Sequence, residues 1–338
     1  MVRLANVSVD MDALSLYHHI HALDAPAHQG VIYDRALPRL LDWFAESGLR
    51  ATFFVVGADL ARPATRSALR DIVAAGHEVA NHSFQHDYRM RTWSERSIAS
   101  DIERAAGEIA ACTGSRPLGF RTPGYNVDIT LVRLLAEQGY SYDSSVFPCP
   151  AYAAAKAVIM GAMWLAQRPS ASGWTDPRMT LAPTVPYRPS RHDPFKRGDR
   201  KHSLPLWEIP IGVTPSLRMP LIGTNLGALP VWAAARLGRQ VARGASFLQL
   251  ELHAIDLLDR DDPEVDSALV RRQPDLRRSW RDKRASLHAF VEATRPDMRW
   301  VRLDEQVRVL DQLEGRHELD SRRRAALPKT VWTDDQRL

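Results

Sequence analysis

The sequence predicts an α/β fold built on a parallel sheet or barrel, and three observations carry that prediction. Short apolar or β-branched runs alternate with segments of helical periodicity along most of the 338 residues. The composition, 45% hydrophobic and 25% charged with only 2 cysteines, is that of a folded domain with a substantial core and no disulfide framework. Acidic, histidine and arginine residues recur where the strand-like runs end.

The alternation reads in order as a strand at Leu4–Val9, a helix at Arg35–Ser47, a strand at Ala51–Val56 and a helix at Thr65–Ala75 stopped by Gly76. A strand follows at Glu78–Ala80, then a helix at Ser94–Cys112, a strand at Gly119–Phe120 and a helix at Asp128–Gln138 closed by Gly139. The later units are a strand at Leu206–Ile211, a helix at Val231–Arg243, a strand at Phe247–Leu252, a long helical stretch over Val265–Thr294, and a strand and helix within Arg299–Leu313. Between 147 and 206 the rhythm breaks into an apolar helix (Ala151–Ala166) and a segment rich in Pro, Arg and Ser, which reads as an insertion. One barrel domain over 1–313 and a charged tail over 314–338 are expected.

Lys plus Arg number 45 against 40 Asp plus Glu, a formal charge of +5 spread along the chain. Only Arg191–His202 and Arg322–Arg324 are dense, and no zinc-finger, RRM-like or basic-zipper pattern accompanies them, which argues against nucleic acid as a partner. Cys112 and Cys149 form no CxxC pair. The start, MVRLANVSVDMDA, has no apolar run of the signal-peptide kind, and no stretch reaches the roughly 20 apolar residues of a membrane span; the expected location is the cytoplasm.

Asp10 and Asp12 stand at the end of the first strand, and period-2 alternation turns both to one face, where two carboxylates repel unless a cation compensates. His82 and His86 in His82-Ser83-Phe84-Gln85-His86 leave the end of another strand. On a helical turn their i, i+4 spacing puts them on one side, able to hold one metal through imidazole nitrogens. HxxxH alone is a general spacing, but joined to a carboxylate it makes a three-ligand set with open positions. Such a set also serves iron oxygenases, whose usual HxD or HxE pair is absent here. Arg121 offers a fixed positive charge before Pro123 and Gly124, which predict a turn able to aim N–H groups inward. Asp143 and His253 follow two further strands.

The order of these motifs resembles the polysaccharide deacetylase family (carbohydrate esterase family 4, the NodB homology domain). Ser8-Val9-Asp10-Met11-Asp12 is similar to a DxD version of the family's first motif, as in peptidoglycan deacetylase-like and allantoinase-like members. His82–His86 matches the second motif, Arg121-Thr122-Pro123-Gly124 the third and Leu250-Glu251-Leu252-His253 the fifth, while the fourth is present only as Asp143. The resemblance implies a distorted (β/α) barrel with a helical insertion. It also implies a divalent metal, Zn2+ by default, on Asp12, His82 and His86. Asp10 would be the general base, Arg121 its charged partner and His253 the general acid oriented by Asp143. The implied reaction is removal of an acetyl or formyl group from an N-acylated amino sugar, lipid-linked or nucleotide-linked. An allantoinase-like hydrolase of a non-sugar C–N bond and a non-catalytic carbohydrate or lipid-binding relative are the alternatives. The apolar stretches 151–166 and 217–237, flanking the basic loop Arg191–His202, are read either as helices that cover the barrel beside a solvated loop or as a lid or surface for peripheral contact with a lipid-linked substrate at the inner face of a membrane.

Overall fold

A computed structural model of the chain describes residues 3–26, 28–165, 176–199 and 201–326. Eight parallel strands form its centre: β1 (Leu4–Asp10), β2 (Thr52–Val55), β3 (Glu78–Asn81), β4 (Gly119–Phe120), β5 (Tyr142–Asp143), β6 (Trp207–Glu208), β7 (Phe247–His253) and β8 (Arg299–Trp300). They lie in the order β6-β5-β4-β3-β2-β1-β7, with β8 paired to the start of β1 below β2. All seven residues of β1 are buried, as expected for a central parallel strand covered on both faces.

Helices connect the strands: α1 (Leu14–Ile20), α2 (Leu37–Glu46), α3 (Pro63–Ala74), α4 (Glu95–Thr113), α5 (Ile129–Glu137), α6 (Pro150–Leu165), α7 (Gly223–Gly227), α8 (Val231–Gly244), α9 (Ser267–Arg272), α10 (Trp280–Thr294) and α11 (Leu303–Ala326). Local chemistry sets several ends. The Ser94 hydroxyl accepts from the Ser97 N–H to start α4, Gly114 at φ +80° ends it, and Asp128 accepts from Leu131 N–H to start α5. No helix among the described residues is long and apolar enough to cross a membrane.

The wall between β6 and β7 is completed without a regular ladder. The Gln249 amide, with its oxygen toward Ser144 and Arg121 and its nitrogen toward the carbonyls of Ile209 and Pro210, ties β7 to the chain leaving β6. Gly212 passes so close that a Cβ there would lie 1.9 Å from the Gln249 carbonyl oxygen. The result is a half-barrel of parallel strands ringed by helices.

Several expectations need correction. The stretch 265–294 is not one helix: α9 ends before a 3₁₀ turn at Pro274–Arg277, where proline lacks an N–H, and Ser279 caps a fresh start at α10. Only Trp207–Glu208 of the expected strand over 206–211 joins the sheet, for Pro210 has no N–H to offer a ladder. The short helices α1 and α7 escape the periodicity reading. The last helix continues to Ala326, so the first part of the expected tail is helical. Within the insertion, Tyr187, Phe195, Leu204 and Leu206 are buried, and antiparallel bridges join Pro189 to Arg197 and Ser190 to Ser203. The basic loop is thus folded on itself, with Lys196 beside Asp193 and His202 beside Asp199. Residues 166–175 of the insertion and the tail beyond 326 lie outside the described residues.

Candidate active site

β1 and β7 are neighbours in register, Ser8 opposite Glu251 and Asp10 opposite His253, so period-2 alternation sends all four side chains to the same face. β3 and β4 deliver His82 and Arg121, each one residue past the end of its strand. Six of the seven expected site residues therefore meet at the same end of the sheet.

The segment 82–86 is not the helical turn expected from its spacing. Side chains take the backbone N–H groups that a helix would use: Asn81 Oδ1 accepts from Ser83, the two Asp101 oxygens from Phe84 and Gln85, and Ser83 Oγ from His86. Ser83 and His86 sit at φ +63° and +54°, left-handed backbone that non-glycine residues adopt at a cost. This folded-back loop brings His82 Nε2 and His86 Nε2 to 3.1 Å of each other, and Asp12 Oδ1 to 3.3 and 3.1 Å of them.

His82 Nδ1 lies 2.7 Å from the Arg121 carbonyl oxygen, so its proton belongs on Nδ1 and the Nε2 lone pair faces Asp12. Asp12 Oδ1 is buried with no hydrogen-bond donor. In the metal-free chain, burial alone would raise the Asp12 carboxyl, but the charges of His86 and His82, when those imidazoles are protonated, hold it well below the usual carboxylate range; when they are neutral, Asp12 faces two lone pairs. Three lone-pair atoms converging without a donor among them is a donor set for a cation, and the mixed imidazole and carboxylate chemistry suits a divalent metal.

Asp10, Glu251 and His253 form a second convergent group. Their atoms are already engaged. Arg121, fully buried, donates from Nη1 to Asp10 Oδ1 at 2.5 Å, from Nη2 to Ser8 and Ser144 hydroxyls at 2.9 Å each, and from Nε to the Ser144 carbonyl at 2.8 Å. Its guanidinium also lies 4.0 Å over the Phe54 ring. Burial would lower the Arg121 pKa, yet the charges of Asp10 and Glu251 raise it instead. The other oxygen of Asp10 points to His82 Nε2 at 3.7 Å and His253 Nε2 at 4.0 Å.

Behind His253 stands Glu251, not Asp143 as the resemblance implied. Glu251 Oε1 is 3.2 Å from His253 Nδ1 and accepts from the Tyr125 hydroxyl at 3.0 Å. Tyr125 reaches it from a left-handed pair, Gly124 at φ +62° and Tyr125 at φ +60°, where any side chain at 124 would strike the Tyr88 ring. Against burial, Glu251 first and then Asp12 and Asp10 push the His253 imidazole up to about 9 in the metal-free chain. At 24% side-chain exposure His253 is the most open of the group, and the site faces solvent on its side. The signal for Glu251 was in the sequence, since residues 251 and 253 of a strand share a face.

Asp143 plays a different part. Its Oδ1 accepts from Ser144 N–H and the Ser145 hydroxyl, and it shares a hydrogen bond with Glu208, its partner in register on β6. Asp143 Oδ2 and Glu208 Oε2 have no other partner, and both side chains are buried. Burial moves the Asp143 carboxyl up to about 6, while burial and then the Asp143 charge move Glu208 well above the carboxylate range. The folded pair keeps a proton that the unfolded chain releases near pH 4, so its stabilisation is present at low pH and lost as pH rises through about 6 and above. Glu208→Gln should therefore gain on the order of 2 kcal/mol relative to the parent protein between pH 5 and pH 8. Denaturant midpoints at the two pH values measure this, and an equal gap at both would rule out the shared proton.

A model of the polysaccharide deacetylase family matches residues 29–142, a stretch that includes His82, His86 and Arg121. Over that third of its length the chain is similar to the polysaccharide deacetylase family. Two curated relatives agree: a peptidoglycan deacetylase-like protein of Gibberella zeae, 29% identical over 150 residues, and a peptidoglycan deacetylase of Helicobacter pylori, 30% identical over 112 residues. Those alignments cover 41% and 32% of this chain and span only 43% and 36% of the relatives' lengths. A crystal structure from Mycobacterium smegmatis, solved as a candidate polysaccharide deacetylase, shares the fold across 93% of this chain and 92% of its own, with a TM-score of 0.58 at 18% identity. The deacetylase-family match stops short of Asp10, Asp12, Glu251 and His253, which only the folded chain joins to it.

Proposed function

We propose that this protein is a divalent-metal-dependent hydrolase that removes an acetyl or formyl group from the nitrogen of an amino sugar. The observation that carries the reading is the meeting of three groupings at one end of the sheet: Asp12 with His82 and His86, Asp10 with Arg121, and His253 with Glu251. Amide hydrolysis needs a polarised carbonyl, an activated water and a proton for the departing nitrogen.

Asp12, His82 and His86 would hold the metal, and Zn2+ suits their donors. Bound there, the metal supplies Lewis acidity toward the acyl oxygen and lowers the pKa of water. Asp10 takes the proton from the attacking water. Arg121 fixes the Asp10 carboxylate by the ion pair at Oδ1, leaving Oδ2 toward the site. His253 carries a proton on Nε2 for the amine, and Glu251 holds Nδ1 so that the ring keeps this orientation. The free carboxylic acid and the amino sugar leave as products. For the sugar's carrier we retain a lipid or nucleotide linkage, and with the former a peripheral contact with the membrane, supported by the exposed Leu181, Leu217 and Trp232.

Elemental analysis of protein purified without chelator tests this reading. About one divalent metal per chain is expected, absent from the His82→Ala, His86→Ala double variant, together with acetate or formate release from N-acylated amino sugars by the parent only. A parent protein that takes up no metal after zinc is supplied would overturn it.

A further inference from the structure

Behind the His82–His86 loop, on the side of α4, lies an open groove of about 540 Å³. Its floor is Phe84 and Gln85, two of the three residues between the histidines, and one edge is Trp93. Its other wall is one side of α4, where Arg96, Ser100 and Arg104 follow at helical spacing.

The groove sets two arginines, Arg96 and Arg104, against one carboxylate, Asp101, whose charge faces Arg104, and so keeps an excess of positive charge. The acidic residues beside these arginines on α4 are engaged elsewhere: Glu95 pairs with Arg133 and Glu103 with Arg116. Asp101, at the base, gives its two oxygens to the N–H groups of Phe84 and Gln85. Arg96 and Arg104 have no ion pair among the described residues, and both are exposed. Arg104 is also held in place, its guanidinium 3.6 Å over the Phe84 ring.

We propose that this groove binds an anionic saccharide chain, with Trp93 as the platform for a sugar ring and Arg96 and Arg104 each meeting an acidic group of the chain. Aromatic faces stack on the C–H faces of sugar rings, and the serine hydroxyls and the Gln85 amide suit sugar hydroxyls. Eight residues of helix separate the arginines by about 12 Å along the axis. With Arg104 pinned on Phe84, that spacing exceeds the reach of a single small anion and fits two charges carried on a chain of rings. Arginine, a planar fork of donors, is suited to carboxylates in particular. The site is separate from the metal ligands and its occupancy does not depend on them.

Calorimetric titration of the full chain with tetragalacturonate, a tetramer with one carboxylate per ring, tests the proposal. Neutral chitotetraose and inorganic phosphate serve as controls. Tetragalacturonate is expected to bind the parent protein and the His82→Ala, His86→Ala variant alike, and to bind at least tenfold more weakly to Arg96→Gln, Arg104→Gln and to Trp93→Ala. Phosphate at the same concentration should not displace it. No binding by the parent, or equal binding by the arginine variant, overturns the proposal. Displacement by phosphate with Trp93→Ala unaffected would reduce the groove to a simple anion site and likewise overturn it. Because metal loading is not needed for the readout, failure here leaves the hydrolase reading to its own test.

Discussion

Asp10→Asn should retain the metal and lose on the order of 10² or more in turnover, the usual cost of removing a general base. The amide keeps the shape of the carboxylate and an acceptor for Arg121, so the change reports on proton transfer with little disturbance of packing. Alanine would be a poorer choice, because it strands the buried Arg121 guanidinium without its anion. His253→Ala should show a comparable loss with metal retained. Acetate release from an N-acetylated amino sugar and metal content, measured on the same preparations, decide the matter. Should Asp10→Asn lose its metal in step with its activity, Asp10 would be a ligand, and the group it forms with Glu251 and His253 would need to be read as part of the metal centre.

The second large effect is on stability. Arg121→Met is expected to cost about 3 to 5 kcal/mol, because it leaves the Asp10 carboxylate buried and unpaired. The loss is a large fraction of the 5 to 15 kcal/mol that typically separates folded from unfolded chains. Arg121 also joins β1 through Ser8, the chain after β5 through Ser144 and β7 through Gln249, so its removal loosens the middle of the half-barrel. Arg121→Lys keeps the charge but lacks the fork that reaches these groups at once, and should fall between the two. Denaturant unfolding of the metal-free proteins at one pH measures the series. A midpoint unchanged in Arg121→Met would show that the ion pair adds nothing to the fold.

Both predictions rest on residues far apart in the chain, Asp10 and Arg121 by 111 positions. Sequence periodicity places each at a strand end but says nothing about which strand ends are neighbours. That follows from the order of strands in the sheet, which puts β1 beside β7 and makes Asp10 and His253 partners in register. The motif order pointed to the same set through family resemblance, an inference from likeness and not from physical spacing.

The Asp143 result shows where that likeness gave way. A role carried over by motif position assigned Asp143 to His253, whereas the folded chain pairs Asp143 with Glu208 on the adjacent strand. Glu251 took the role at His253 because it lies two residues away on the same strand face. The loop His82–His86 gives a second case. An i, i+4 spacing is compatible with a helical turn, but Asp101, from a helix later in the chain, captures two of its N–H groups and bends it otherwise.

By itself, then, the sequence determined what depends on neighbours along the chain: strand and helix order, helix caps such as Ser94 and Asp128, and the acidic and histidine residues waiting at strand ends. Tertiary structure alone decided which carboxylate meets which cation, because pairing in a buried site depends on distance and on the loss of water around charges. Strand alternation could have nominated Glu251, but only the closeness of β1 to β7 gave that nomination a partner.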